Sequence, residues 1–325
     1  MAVYTEVSAD DINAFVAEYD IGTVTTFKGI AEGVENSNYL LATDRGNFIL
    51  TLYEKRVNPG DLPFFIGLMD HLAAKGINCP RPVHDRNGVA LKTLCGRPAA
   101  IVSFLQGMSL KRTLPWHCQA LGVALADMHG ATADFPMTRA NALSLDGWRK
   151  LAESCAPRAD AVHPGLADVI RKELAFLEAH WPDDLPRGVI HADLFPDNVF
   201  FLGDKLSGLI DFYFACNDFL AYDLAICLNA WCFEVDASFN ATKARALLAG
   251  YGSRRQLTAR EVELLPILCR GSALRFLLTR LYDWQNQVEG ALVRPHNPIP
   301  FLERLRFHQA ADSAAAYGLE VERLS

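Results

Sequence analysis

His191-Ala-Asp193-Leu-Phe-Pro-Asp197-Asn198 follows directly on the apolar run Gly188-Val-Ile190, and thirteen residues past Asn198 comes Leu209-Ile-Asp211-Phe-Tyr213. The first stretch spaces its polar residues as H-x-D-x-x-x-x-N, and the second ends an apolar strand on a carboxylate. Phosphoryl transfer has needs that match this pair: a carboxylate to orient and deprotonate an attacking hydroxyl, and two more oxygen ligands to hold Mg²⁺ against the β- and γ-phosphates. On that logic Asp193 is the candidate base, and Asn198 and Asp211 are the candidate metal ligands. An amide ligates Mg²⁺ without adding charge, whereas a carboxylate also neutralises it. Asp and Asn are ordinary loop residues, and an isolated H-x-D-x-x-x-x-N arises by chance. The second motif at this separation, behind a β-rich segment, makes the combination specific.

Working outward, residues 188 to 212 form an island of short strands and turns in a segment that is otherwise helical beyond Gly107. Periodic apolar spacing predicts helices near 117 to 130, 144 to 155, 165 to 180, 219 to 234, 240 to 250, 259 to 289 and 298 to 317. Upstream, Ser8-Ala-Asp-Asp11 is an N-cap pattern opening a short helix over 8 to 19. From Thr23 to Tyr53 the apolar period drops to two, which predicts two or three antiparallel strands. Leu62, Phe65, Ile66, Met69 and Leu72 predict a helix over 62 to 75, ended at Gly76, with strands at 89 to 95 and 98 to 105 beyond Cys79-Pro-Arg-Pro82. The expectation is an α+β chain of two lobes: residues 1–106, a small antiparallel-sheet lobe that binds nucleotide, and residues 107–325, a mostly helical lobe with the catalytic loop and substrate site.

Half of the 325 residues are hydrophobic and the formal net charge is −7, so a sizeable core is available and no basic surface suggests nucleic acid or anionic lipid as a partner. The eight cysteines lie scattered in apolar segments without CxxC or a Cys/His metal cadence, and read as buried thiols of a reducing cytosol. No apolar run is long enough for a membrane span and the start has no leader pattern, so a cytoplasmic location is expected.

The two motifs resemble those of the protein-kinase-like fold in its aminoglycoside-phosphotransferase and choline-kinase branch. The continuation from Asp211 to Ala225 looks like that branch too, in which a second aspartate, here Asp223, braces the catalytic loop beside His191. A helix N-terminal carboxylate is the plainer reading of Asp223. Phe27-Lys-Gly-Ile-Ala-Glu-Gly-Val-Glu-Asn-Ser-Asn-Tyr39, Leu50-Thr-Leu-Tyr-Glu-Lys-Arg56, Asp61 to Leu72, Leu277 to Trp284 and Arg304-Leu-Arg-Phe-His308 are similar to the homoserine kinases of that branch. The resemblance spans nearly the whole chain. It implies transfer of the ATP γ-phosphoryl, with Mg²⁺, to L-homoserine, giving O-phospho-L-homoserine for threonine synthesis. Kinases for choline, ethanolamine or aminoglycosides are the rival reading among enzymes.

Gly29 and Gly33, with Asn36 at the next strand, fit a loop closing over phosphates, although glycines between strands are also plain turn residues. The adenine is expected against Ile101-Val-Ser103-Phe-Leu105, where Ser103 and Leu105 would meet it, and that segment reads equally as an edge strand. Homoserine is a zwitterion, so Tyr213, Asn217, Asp218, Arg275 and Arg280 are candidates for its carboxylate and ammonium. Arg275 and Arg280 stand on an apolar helix, where arginine also caps buried carboxylates. His129, His180 and His308 read as structural. One departure stands out: Thr51 and Phe65 occupy the positions of the strand Lys and helix Glu that usually hold the α- and β-phosphates. Their joint absence points to another anchor, such as Lys55, Arg56 or the loop backbone, and leaves a nucleotide-binding pseudokinase as the alternative from outside enzymology.

Overall fold

The computed structural model describes residues 5–30, 36–54, 57–287 and 295–319. Helix α1 (Ala9–Val16) opens as its cap predicts, with Ser8 Oγ accepting from the Asp11 N–H at 3.1 Å. Three strands follow, β1 (Val24–Gly29), β2 (Asn36–Thr43) and β3 (Gly46–Tyr53), then α2 (Leu62–Ala74), β4 (Lys92–Leu94) and β5 (Arg97–Ser103). The strands pair antiparallel in the order β1-β2-β3-β5-β4.

Period-two alternation splits this sheet between two cores. Leu50 and Leu52 of β3, with Ala99 and Ile101 of β5, face α1 and bury its Ile12, Phe15 and Val16. Tyr53, Ala100 and Val102 point the other way, into a continuous core shared by α2 and the helices beyond. Helix α2 is apolar on most of its circumference because it lies between sheet and large lobe, with Phe64 on Phe135 at a ring-centroid distance of 5.5 Å. Strand β4 is shorter than the expected 89 to 95 because the Asp85 carboxylate takes the N–H groups of Asn87 and Val89, coiling that stretch into a turn.

Past β5 the chain reaches Gly107, where φ is +134° and a Cβ would meet Ser207 Oγ at 2.3 Å and the Phe201 carbonyl at 3.0 Å. Only glycine lets the linker lie this close to the strands that carry the site. Then come α3 (Pro115–Ala131), α4 (Leu145–Val162), α5 (Leu166–His180), β6 (Arg187–Ile190), β7 (Val199–Leu202), β8 (Lys205–Leu209), β9 (Cys216–Phe219), α6 (Leu220–Trp231), α7 (Ala241–Gly252), α8 (Ala259–Gln285) and α9 (Ile299–Gln309). Strand β6 pairs with β9, and β7 forms a hairpin with β8. The helix expected over 298 to 317 ends at Gln309 and resumes as a 3-10 turn at Ala314–Tyr317, after the turn-forming Asp312-Ser313.

Seven of the eight cysteines are buried as expected, while Cys95 is exposed in the β4–β5 turn with φ of +49°. Among the described residues no helix is long and apolar enough to cross a membrane, and no three His, Cys, Asp or Glu side chains cluster to hold a metal.

Candidate active site

The turn after β6 carries the first motif, and it is held from behind. Asp223, in the first turn of α6 and fully buried, accepts the N–H of His191 at 2.7 Å and of Ala192 at 2.9 Å. On the other side of the same residue, Arg275 Nη1 of α8 donates to the Ala192 carbonyl at 2.7 Å. Ala192 has φ of +64°, a region that costs a side-chain-bearing residue about 1 kcal/mol, so the two bonds fix a conformation the chain would otherwise leave. Burial works to raise the Asp223 pKa. Hydrogen bonding and charge from His129, reinforced by His191, outweigh it and hold the carboxyl below its ordinary value. His129 bridges Asp223 (3.2 Å) to the Tyr251 hydroxyl (2.9 Å), which makes it a structural histidine as expected.

His191 ties the two motifs together. Its Nε2 meets the Ile210 carbonyl at 2.9 Å and its Nδ1 accepts the Asp193 N–H at 3.3 Å, so Nε2 carries the hydrogen. Burial lowers its pKa and keeps the ring neutral.

Asn198 Nδ2 donates to the Asp193 carbonyl at 2.7 Å and to its carboxylate Oδ2 at 3.1 Å. With the amide nitrogen so committed, Oδ1 is the remaining ligand atom. The β7–β8 hairpin sets its partner: Val199 pairs with Leu209 and the Ile210 N–H donates to the Asn198 carbonyl, which brings Asp211 to the same end of the hairpin. Asp211 has φ of +64° and an exposed side chain, yet the protein around it desolvates the carboxyl enough to raise its pKa, against the Tyr213 N–H. One carboxylate and one amide oxygen suit a hard, oxygen-preferring divalent cation. Asp193, partly buried, stands beside them as the base candidate.

Where the strand Lys and helix Glu are missing, the space is filled by uncharged groups. Thr51 Oγ1 donates to Asn38 Oδ1 at 2.8 Å, and the hydroxyls of Tyr53 and Tyr213 meet at 3.1 Å. Phe65 packs edge-on to Tyr213 with ring centroids 5.6 Å apart. Burial pushes the Tyr213 hydroxyl up to about 12 and Tyr53 up as well, so both stay neutral. An aromatic cluster thus joins α2, β3 and the segment after Asp211.

The other expected residues fall differently. Gly29 ends β1 opposite Tyr39, whereas Gly33, Lys55 and Arg56 lie outside the described residues. Asn36 is buried at the start of β2, its amide oxygen opposite the Glu54 N–H at 3.4 Å. Ser103 accepts the Arg81 N–H at 2.9 Å, and Leu105 follows β5 partly buried.

Of the substrate candidates, Tyr213 belongs to the aromatic cluster. Asn217 Oδ1 accepts the Arg139 N–H at 2.8 Å, and Asp218 takes Asn141 Nδ2 at 2.7 Å, so both fasten β9 to the segment between α3 and α4. Arg275 is 1% exposed and braces Ala192 from inside the core. Arg280 alone remains beside the loop, with its guanidinium 5.7 Å from the Phe195 ring centre and acted on by Asp193 and Asp197. His180 stacks on Phe176, and His308 is buried between Tyr317 and Asn229. Sequence reasoning missed Arg304. The usable signal was a cation on the same turns of α9 as Phe301, Leu305 and His308, all buried.

Comparison with known proteins gives the family and the fold. The sequence profile of the phosphotransferase enzyme family matches residues 26–257, and the chain belongs to that family. Within it the chain stands with the homoserine kinases: it is 64% identical over 319 residues to the homoserine kinase of Azorhizobium caulinodans, covering 98% of this chain and 99% of that one. The homoserine kinase of Sinorhizobium fredii is 62% identical over 325 residues, the full length of both. Among solved structures, an amicoumacin kinase in complex with AMP-PNP and Ca²⁺ superposes with a TM-score of 0.69 at 14% identity, over 95% of each chain. A choline kinase from Cryptosporidium parvum gives 0.69 at 14% identity, over 93% of this chain and 95% of that one. The fold is the bilobal α+β fold of these kinases.

Proposed function

We propose that this protein is an ATP-dependent homoserine kinase, transferring the γ-phosphoryl of ATP to the side-chain hydroxyl of L-homoserine and releasing ADP and O-phospho-L-homoserine for threonine synthesis in the cytoplasm. The observation that carries the reading is the braced loop of Asp193 and Asn198 opposite Asp211, in a chain 64% identical to a homoserine kinase along its length. Nucleotide would lie between two lobes divided near residue 106, with the backbone at Leu105 on its adenine side.

Asp193 orients the homoserine hydroxyl and takes its proton as the oxygen bonds to phosphorus and the bond to ADP breaks. Asn198 keeps that carboxylate in place through its Nδ2 hydrogens. Asn198 Oδ1 and Asp211 would hold Mg²⁺, whose charge, when bound, offsets that of the transferring phosphoryl group. Most of the remaining catalysis is positioning, which the Asp223 and Arg275 braces supply.

Coupled ADP release across L-homoserine, L-threonine, L-serine, choline, ethanolamine and kanamycin tests the substrate. Turnover of homoserine far above the rest is expected, and turnover confined to an amino alcohol or an aminoglycoside would refute the reading. Asp193→Asn is expected to lower kcat by about 10²- to 10⁴-fold with nucleotide binding retained. An unchanged kcat would remove Asp193 from its role.

A further inference from the structure

Two arginines meet beside the catalytic loop, and neither forms a salt bridge among the described residues. Arg280 of α8 and Arg304 of α9 stack on the same buried ring, Phe301, with guanidinium carbons 4.6 Å and 4.3 Å from its centre. Phe195 packs 6.2 Å from Phe301 and two residues after Asp193, so the pair is coupled to the base through one aromatic contact. Arg304 Nε and Nη1 are both buried, and neither has a hydrogen-bond partner among the described residues. No ion pair is formed by either arginine among those residues, although most of the other described arginines have one.

Leaving buried donors unmade is costly, and placing two like charges together adds to the cost, so the arrangement is stable as a receptor for an anion. Desolvation pulls both guanidinium pKa values down to about 10, which still leaves them cationic at neutral pH. Planar forks of donors match a carboxylate. Asp193 and Asp197 face Arg280 from the loop, so an acceptor whose carboxylate lay on the arginines would have its other polar groups beside carboxylates.

We propose that Arg280 and Arg304 form the site that binds the carboxylate of the acceptor alcohol and so select a hydroxy amino acid over an amino alcohol. This rests on the homoserine reading and deepens it. Arg304 is the specificity residue, since its two buried nitrogens have no other work.

The test is steady-state kinetics of the parent, Arg304→Met and Arg304→Lys with L-homoserine, 4-hydroxybutyrate, L-serine and 3-aminopropan-1-ol, the last being homoserine with hydrogen in place of the carboxylate. For Arg304→Met the homoserine KM is expected to rise about 100-fold with the ATP KM unchanged, and the preference over 3-aminopropan-1-ol to collapse. Arg304→Lys retains the charge without the fork, and an intermediate rise is expected even if the Met variant folds poorly. A parent that prefers 3-aminopropan-1-ol, a homoserine KM untouched in both variants, or a rise in the ATP KM alone would overturn the inference. Should the parent ignore homoserine but phosphorylate another hydroxy acid in an Arg304-dependent way, the proposed substrate falls and the carboxylate site stands.

Discussion

Two polar regions flank the catalytic loop, and they differ in how their buried charges are met. Behind the loop, Asp223 receives three hydrogen bonds, from His191, Ala192 and His129, and Arg275 commits one nitrogen to Ala192 while its Nε has no partner. Beside the loop, Arg304 has two buried nitrogens, Nε and Nη1, without a hydrogen-bond partner among the described residues. Asp223 and Arg275 are sealed at 0% and 1% exposure, whereas Arg304 keeps partial access to solvent. A charge met by the backbone holds shape; a charge left unmet but reachable holds a ligand.

The contrast can be broken most forcefully from behind. Asp223→Ala strands two buried N–H groups and His129, and a loss of about 3–5 kcal/mol is expected in denaturant unfolding, together with loss of turnover. A variant as stable as the parent would mean the brace is dispensable. Next in size, Arg275→Met is expected to cost about 1.5–3 kcal/mol and to lower kcat more than it raises the homoserine KM, because it frees the loop without touching the acceptor. A rise in homoserine KM at constant kcat would instead put Arg275 in the substrate site and dissolve the distinction between the two regions.

A pH titration sharpens the other side. His308 is buried beside Arg304, and burial first, then the charges of Arg304 and Arg270, lower its pKa to about 3. Below pH about 6.5 the unfolded chain binds a proton that the folded chain refuses, so stability falls with pH from about 6.5 towards 3, by up to about 1.4 kcal/mol per unit. Urea midpoints measured down that range should fall less steeply in Arg304→Met, where one of the repelling charges is gone. Parallel slopes would separate His308 from the arginine pair.

How much was legible in advance follows from the range of the interactions. Asp193, Asn198 and Asp211 stand in two short motifs joined by one hairpin, so local spacing sufficed to group them. Asp223 came into view only through resemblance, since nothing in its own neighbourhood says that its oxygens reach back to residues 191 and 192. The hydrogen bonds of Asn36, Asn217 and Arg275 were out of sight for the same reason: a polar side chain in an apolar segment reads alike whether it serves a ligand or a distant backbone group.

By itself the sequence determined the alternation that builds the small sheet, the helical periodicities of the large lobe, and the presence of the phosphotransfer motifs, because each depends on residues a few positions apart. Tertiary structure decided where each arginine of α8 is directed. Arg275 and Arg280 lie five positions apart on one helix, yet one points under the loop at Ala192 and the other meets Arg304 over Phe301. Whether a buried charge finds a partner depends on what the fold brings to it from far along the chain, and no local pattern encodes that.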